Sequence, residues 1–464
     1  MKTALVAGPR REQMTEQDRV FAKCAWRLIP FMGLLLVVNY VDRLNVGFAA
    51  LTMNKDLGFS PRVFGFGAGV FFVSYALLQV PANVILERVG AKRWVFCILA
   101  AWGLLSASNA LVQTPTSFYV LRFLLGVAEA GFFPGMLFYL NYWFPRGYLA
   151  RFTAYFMVAI PLSFVLGGPF ASFILRMDGM AGLQGWQLLF LIEGVPAFLL
   201  AFAVLKLVPD GPKNAAWLTR EEKEAIATRL AAEEPRGPCD LWLALRDSRL
   251  LALGVANFAF QASTYGVGLW LPQIAQGMGF SNFATGFIVS LSFVFGAGAM
   301  IVCGRSSASR DERIWHVALP WLLAALGFVA ASVVQSDVIV LLALAFGLTG
   351  IYAAFGPFFS LPSSFLRGTA AAGGIGLFNA IGNFGGFFGP TLFGVLKEGS
   401  GDYTSGMVAC AFGMLLAALI VLAVGRAMAP RPVMVAPRAG SAGERRPHLR
   451  KMRLAAAVNW HRIE

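Results

Sequence analysis

The sequence predicts an all-α integral membrane protein with twelve transmembrane helices in two pseudo-symmetric six-helix bundles. Three observations carry this expectation: composition, recurring apolar runs and an internal repeat. Of the 464 residues, 58% are hydrophobic and 13% charged, where a soluble domain devotes about 25% to charge. A helical span needs about 20 apolar residues. Such runs recur twelve times, at 28–50, 65–86, 94–113, 118–143, 152–175 and 186–208, then at 250–273, 283–304, 315–335, 338–360, 370–396 and 405–428.

The repeat relates the first six runs to the second six. At a single offset of 221 residues (Trp94 to Trp315), Gly126 meets Gly347, and Phe144, Arg146 and Gly147 meet Phe365, Arg367 and Gly368. Ala159-Ile160 meets Ala380-Ile381, and Gly168-Pro169 meets Gly389-Pro390. An even number of spans keeps the second copy in the orientation of the first, which makes a parallel repeat. Two similar bundles facing each other leave a central cavity that opens to either side in turn.

Charge follows the loops. Arg10, Arg11, Arg19 and Lys23 precede the first run, Arg88, Lys92 and Arg93 follow the second, and Arg146 and Arg151 follow the fourth. Further cations from Lys206 to Arg249 flank the long central connection, and Arg305, Arg310 and Arg313 follow the eighth run. The opposite connections hold little beyond Lys55, Arg62, Arg176 and Lys397. The positive-inside rule therefore places both termini in the cytoplasm, and a bacterial cytoplasmic (inner) membrane is the expected location. Topology accounts for the net charge of +14, so nucleic-acid binding is not invoked.

The expected organisation is a cytoplasmic segment 1–27, a first bundle 28–208, a linker 209–249, a second bundle 250–428 and a basic cytoplasmic tail 429–464. Within the linker, Thr219 followed by Glu222 is a capping-box signature that opens a short helix. The five cysteines are scattered without a CxxC pair, and the three histidines have no ligand spacing, so no metal and no cofactor is expected. No nucleophile motif or phosphate loop supports an enzyme.

Several segments together resemble the anion:cation symporter branch of the major facilitator superfamily. They are NYVDRLNVGFA in the first run, QVPANVILERVGAKRW after the second, RFLLGVAEAGFFPG in the fourth and GTAAAGGIGLFNAIGNFGGFFGP in the eleventh. The likeness covers about residues 20–428. It implies uptake of a small organic anion (a sugar acid, dicarboxylate or aromatic acid), usually with protons, by a monomer embedded in the bilayer. The superfamily's loop pattern G-x-x-x-D-R-x-G-x-R-R is matched here by Glu87, Arg88, Gly90, Lys92 and Arg93, with Asn83 in place of the first glycine. These residues are expected to latch the bundles as the cavity changes face. The second-half copy departs from the pattern: Ala308 and Ser309 stand where an acid-base pair belongs, leaving Asp311 or Glu312 as substitutes.

Ionisable residues inside spans are costly, about 2.5–3.5 kcal/mol at mid-bilayer on insertion scales, and so are functional suspects. Asp42 and Arg43 lie in the first run. Arg122 and Glu129 lie seven apart in the fourth, which returns them to nearly the same helix face. Arginine and burial pull a carboxyl's proton affinity in opposite directions, so such a set can respond to an arriving anion. The resemblance implies that Asp42 and Glu129 couple protons while Arg43 and Arg122 pair with them or contact substrate. At the 221-residue offset Asp42 falls on Ser263 and Glu129 on Gly350. Acids within spans therefore belong to the first half, while Gln261, Ser263, Tyr265, Ser360, Asn379 and Asn383 offer neutral hydrogen bonding from the second. Tyr40 and Tyr75 join the expected pocket. Glu193 reads as structural, and the Gly-Pro ends of spans five and eleven read as gating elements. An exporter working by proton antiport on the same fold is the alternative function.

Overall fold

The computed structural model describes residues 16–232, 246–366 and 369–428. Six helices precede the linker: α1 (Glu16–Leu57), α2 (Pro61–Val89), α3 (Ala91–Ser108), α4 (Pro115–Asn141), α5 (Arg146–Leu175) and α6 (Gly185–Leu207). The linker carries α7 (Arg220–Ala231). Six more follow: α8 (Ser248–Gly277), α9 (Asn282–Arg310), α10 (Ile314–Val333), α11 (Asp337–Phe365), α12 (Thr369–Ser400) and α13 (Thr404–Met428). All twelve expected spans are helical, and no strand occurs among the described residues. Eleven of them are long and apolar enough to cross a membrane by composition alone. The twelfth, α12, is rich in glycine. It packs against α8 and α2, and a helix covered by protein needs small residues for close approach more than it needs lipid-facing bulk.

Several boundaries differ from the apolar runs. The first helix is already formed at Glu16, the first described residue and twelve residues before the run at Leu28, because helical hydrogen bonding continues outside the bilayer. Within α4 the helix is interrupted between Glu129 and Phe132, and within α11 at Ala354, so the same span of each half breaks at a comparable depth. The expected capping box forms. Thr219 Oγ1 accepts from the Glu222 amide at 3.3 Å, and Glu222 accepts from the Thr219 amide at 2.9 Å. Lys23 Nζ then donates to Glu222 at 2.8 Å, tying α7 to α1. The tail expected at 429–464 and the position of Arg367 and Gly368 lie outside the described residues.

The halves meet through α1 with α8, α2 with α12 and α5 with α9. Contacts are dense on the face away from the linker. Asn54 Nδ2 donates to Gln273 at 3.2 Å, Ser60 Oγ to Glu398 at 2.6 Å, Gln276 Nε2 to the Leu51 carbonyl at 3.1 Å and Ser172 Oγ to the Asn282 carbonyl at 3.0 Å. Backbones also touch there. A Cβ added at Gly168 would sit 2.4 Å from the Gly286 carbonyl oxygen, a separation that requires glycine on both helices. The molecule is thus closed on the face away from the linker.

Candidate functional site

Five charged side chains of the first half are buried within the spans: Glu193 (4% exposed) on α6, and a group of four on α1 and α4, Asp42 (1%), Arg43 (6%), Arg122 (1%) and Glu129 (0%). At 3.6 residues per turn, consecutive residues point about 100° apart. Asp42 and Arg43 therefore face different neighbours. Asp42 turns toward α3, where Trp102 Nε1 donates to Oδ2 at 2.7 Å and Ser106 Oγ donates to Oδ1. Asn45 Nδ2 adds a donor at 3.1 Å. Three donors satisfy this carboxylate without a cation in contact.

Arg43 turns toward α2 and α4. Its Nη2 donates to Glu129 Oε2 at 2.8 Å, and Asn39 Nδ2 donates to the same oxygen at 2.8 Å. Three rings surround the guanidinium, with Tyr75 at 4.8 Å and Tyr40 and Phe71 at 5.2 Å from its carbon. Phe71 is shared, because Arg122 lies 5.1 Å from the same ring. A cation over an aromatic face is stabilised by the ring quadrupole when water is excluded. This cage explains how two guanidinium groups are held near one another in the bilayer.

The pairing differs from the one the spacing suggested. Arg122 and Glu129 share a helix face, yet Glu129 is bonded to Arg43. All three guanidinium nitrogens of Arg122 lack a hydrogen-bond partner, as does Glu129 Oε1. Unpaired buried donors are rare because each retains most of its desolvation cost. A buried guanidinium with open donors is suited to receiving a planar carboxylate, which accepts two parallel N–H bonds from its fork.

The second-half residues take varied positions. Tyr265 packs on Phe72 with centroids 4.2 Å apart, joining the halves. Asn383 Nδ2 donates to Gln79 Oε1 of α2 at 3.2 Å, also across the halves. Gln261 and Asn379 are part-buried. Ser360 bonds the Pro357 carbonyl of its own helix at 2.7 Å, and Ser263 is held at 3.0 Å by both the Ala259 and Cys410 carbonyls. Glu193, with 4% exposure, has both carboxyl oxygens without a partner.

Around the loop motif, Gly90 takes φ 89° between α2 and α3, and the Lys92 amide donates to Asp210 Oδ1 at 2.9 Å. Arg88 and Arg93 are exposed, and the Glu87 side chain lies outside the described residues. In the second-half copy, Glu312 accepts from the Trp315 amide at 2.8 Å and lies 2.7 Å from His316 Nδ1, so it caps α10. Asp311 lies 3.7 Å from Arg313. Among the described residues, neither acid contacts the first half.

Asn39, Asn45, Phe71, Trp102 and Ser106 were not singled out from the sequence. Two of them carried a signal there. Asn39 is four residues before Arg43 and Asn45 three after Asp42, the separations at which helical side chains meet. The others come from α2 and α3, and no spacing within α1 points to them.

Comparison with known proteins agrees with this architecture. The Major Facilitator Superfamily family description matches residues 32–390. A protein of Agrobacterium vitis proposed to be a tartrate transporter is 45% identical over 413 residues, covering 88% of this chain and 92% of its own. NicT of Pseudomonas putida, proposed to be a metabolite transport protein, is 38% identical, covering 87% and 95%. A quinolone resistance transporter of Acinetobacter baumannii is 37% identical, covering 87% and 95%. Among solved structures, a bacterial homologue of the lysosomal transporter Spinster, inward-facing and occupied, gives a TM-score of 0.72 at 15% identity. It covers 86% of this chain and 96% of its own. A D-xylose–proton symporter gives 0.68 at 15% identity, covering 86% and 97%. The chain belongs to the Major Facilitator Superfamily and is a multi-pass membrane transporter, not an enzyme.

Proposed function

We propose that this transporter takes up a small organic anion together with protons by alternating access, acting as a monomer. The linker face and both termini are cytoplasmic, and the host membrane is the bacterial inner membrane. One observation carries the reading: Arg122 is buried with no hydrogen-bond partner on any guanidinium nitrogen, beside an Arg43 already held by Glu129. A carboxylate complements these open donors in charge and in hydrogen-bonding geometry. The relatives named for tartrate support the same substrate class.

Coupling follows from competition for cations. An incoming carboxylate binds Arg122 and draws on Arg43, and Glu129 then loses its cation. An unpaired charge in low dielectric costs more than a neutral acid, so Glu129 takes up a proton. Asp42 is the second proton site: when it is protonated the Ser106 hydroxyl turns from donor to acceptor, while the Trp102 indole keeps donating to the other oxygen. The bundles then exchange face, and release of both cargoes restores the Arg43–Glu129 pair. Tyr40, Tyr75, Gln261, Ser360, Asn379 and Asn383 contribute contacts that choose the anion. Glu87, Arg88, Gly90 and Arg93 form the loop that alternates.

The test is uptake by purified protein in proteoliposomes, with Asp42→Asn and Glu129→Gln compared against the parent. Both substitutions imitate the protonated acid. They should retain exchange of labelled for unlabelled anion and lose accumulation driven by an imposed pH gradient. Full accumulation in both variants overturns the coupling assignment. A second reading, export by proton antiport, is favoured by the relative named for quinolone resistance. It requires that a gradient of the opposite sense drive transport, which the same vesicles measure.

A further inference from the structure

We propose that a cavity on the linker face of the first half binds the phosphate-bearing headgroup of an anionic phospholipid. The cavity holds about 370 Å³ and is built from the starts of α1 and α3, the end of α6 and the first residues of the linker. Arg27, Lys92 and Lys206 line it from three different helices. None of the three is ion-paired among the described residues. The single acid in the lining, Asp210, already accepts from the Lys92 amide at 2.9 Å. The cavity therefore keeps an excess of positive charge that the protein does not itself neutralise.

Its walls distinguish it from a scatter of surface cations. Trp217 lies under the Arg27 guanidinium at 5.5 Å and stacks on the buried Trp143 with centroids 5.5 Å apart and planes within 10°. That stack fixes the linker against the helices. Phe31, one turn deeper along α1 than Arg27, makes the lining apolar on the membrane side; Leu207 adds an exposed apolar side chain at the end of α6, and Trp26, next to Arg27 in sequence, has 82% of its surface exposed. Arg27 directly precedes the apolar run of α1, which sets the cavity at the water–lipid boundary. Cations below and bare apolar side chains above suit an amphiphile: an anionic head with acyl chains running up the α1–α6 surface. A free phosphate would use only the lower half. Basic pockets between helices at this depth are a recognised means of holding acidic lipids. A bound lipid would tie α1, α3 and α6 to the linker, next to the Gly90–Lys92 turn.

Full-length protein in neutral detergent is titrated separately with phosphatidylglycerol, phosphatidylcholine and inorganic phosphate. Bound lipid is counted by native mass spectrometry, and the melting temperature is followed in parallel. Phosphatidylglycerol should show one tight site and raise the melting temperature, with little effect from the other two. Neutralising two cations, Arg27→Gln with Lys206→Gln, should weaken that site about 30-fold, since each basic residue near an anionic lipid contributes about a fivefold factor. A control pair, Arg305→Gln with Arg310→Gln, exposed in the second half, should change it less than about twofold. Equal losses in both pairs, equal binding of phosphatidylcholine, or stabilisation reproduced by phosphate alone would overturn the proposal. Should the first pair fail to fold, the parent still decides: saturation by many lipids without one tight first site rejects it.

Discussion

The two halves of this molecule share one scaffold and spend corresponding positions differently. Glu129 of the first half corresponds to Gly350 of the second. The glutamate accepts from Arg43 and Asn39. The glycine lets α11 lie against α10 so closely that an added Cβ would come within 2.4 Å of the Pro320 carbonyl oxygen. Asp42 corresponds to Ser263, whose hydroxyl is used up by two backbone carbonyls. The same depth therefore serves charge handling in one half and close packing in the other. A repeat conserves where a helix passes, while the side chain at each passage decides whether that place is chemistry or contact.

The comparison is broken most severely by Arg43→Ala. Removing one partner of a buried pair leaves the other uncompensated, at a cost of about 3–5 kcal/mol. We expect strongly reduced thermal stability and no transport, with stability recovered in large part by adding Glu129→Gln. An Arg43→Ala protein as stable as the parent would show that Glu129 has no need of this cation.

Gly350→Ala probes the other half. Overpacking of a tight site costs about 1–3 kcal/mol, so the melting temperature should fall while the charged set in the first half stays intact. Substrate affinity in a binding titration should be unchanged for the folded fraction. A large loss of affinity at full stability would mean that position 350 takes part in binding.

A third change sharpens the boundary between the halves. Gly168→Ala places a Cβ against the Gly286 carbonyl oxygen and should disfavour closure of the face away from the linker. Labelling of a cysteine placed at Asn54, which donates to Gln273 across the halves on this face, should become faster than in the same reporter with Gly168. Unchanged labelling would show that the closed state tolerates the methyl group.

The smallest effect is expected at the link between linker and first half. The Lys23 ammonium holds the Glu222 carboxyl below the usual carboxylate range, with the Thr219 amide assisting. A depressed folded-state affinity for protons means that the contribution is complete above the ordinary glutamate range, near pH 4.3, and fades as pH falls through the lower folded value. A part-exposed pair at the surface contributes about 0–1 kcal/mol. Amide hydrogen exchange in α7 should therefore rise slightly in acid, and Lys23→Gln should reduce that pH dependence to the part the Thr219 amide supplies. Identical pH profiles in parent and variant would show that the pair does not hold α7.

The sequence by itself determined the number of spans, their parallel repeat, the linker helix with its cap and the restriction of membrane acids to the first half. These are one-dimensional properties: a bilayer demands about 20 apolar residues per crossing, and a cap is decided within four residues. It also marked Asp42, Arg43, Arg122 and Glu129, because the cost of charge in lipid makes each of them conspicuous. The glycine-rich α12 was legible as the run 370–396, and its Gly389-Pro390 match to Gly168-Pro169 tied it to the fifth span. What only the tertiary structure decided is who holds whom. The neighbours in sequence, Asp42 and Arg43, part because a helix turns them about 100° from each other. Arg43 then finds Glu129 on α4, Asp42 finds Trp102 and Ser106 on α3, and Arg122 is left with open donors. Partnership at 3 Å depends on how separate helices rotate and pack, and that rotation is set by the whole bundle rather than by the residues that meet.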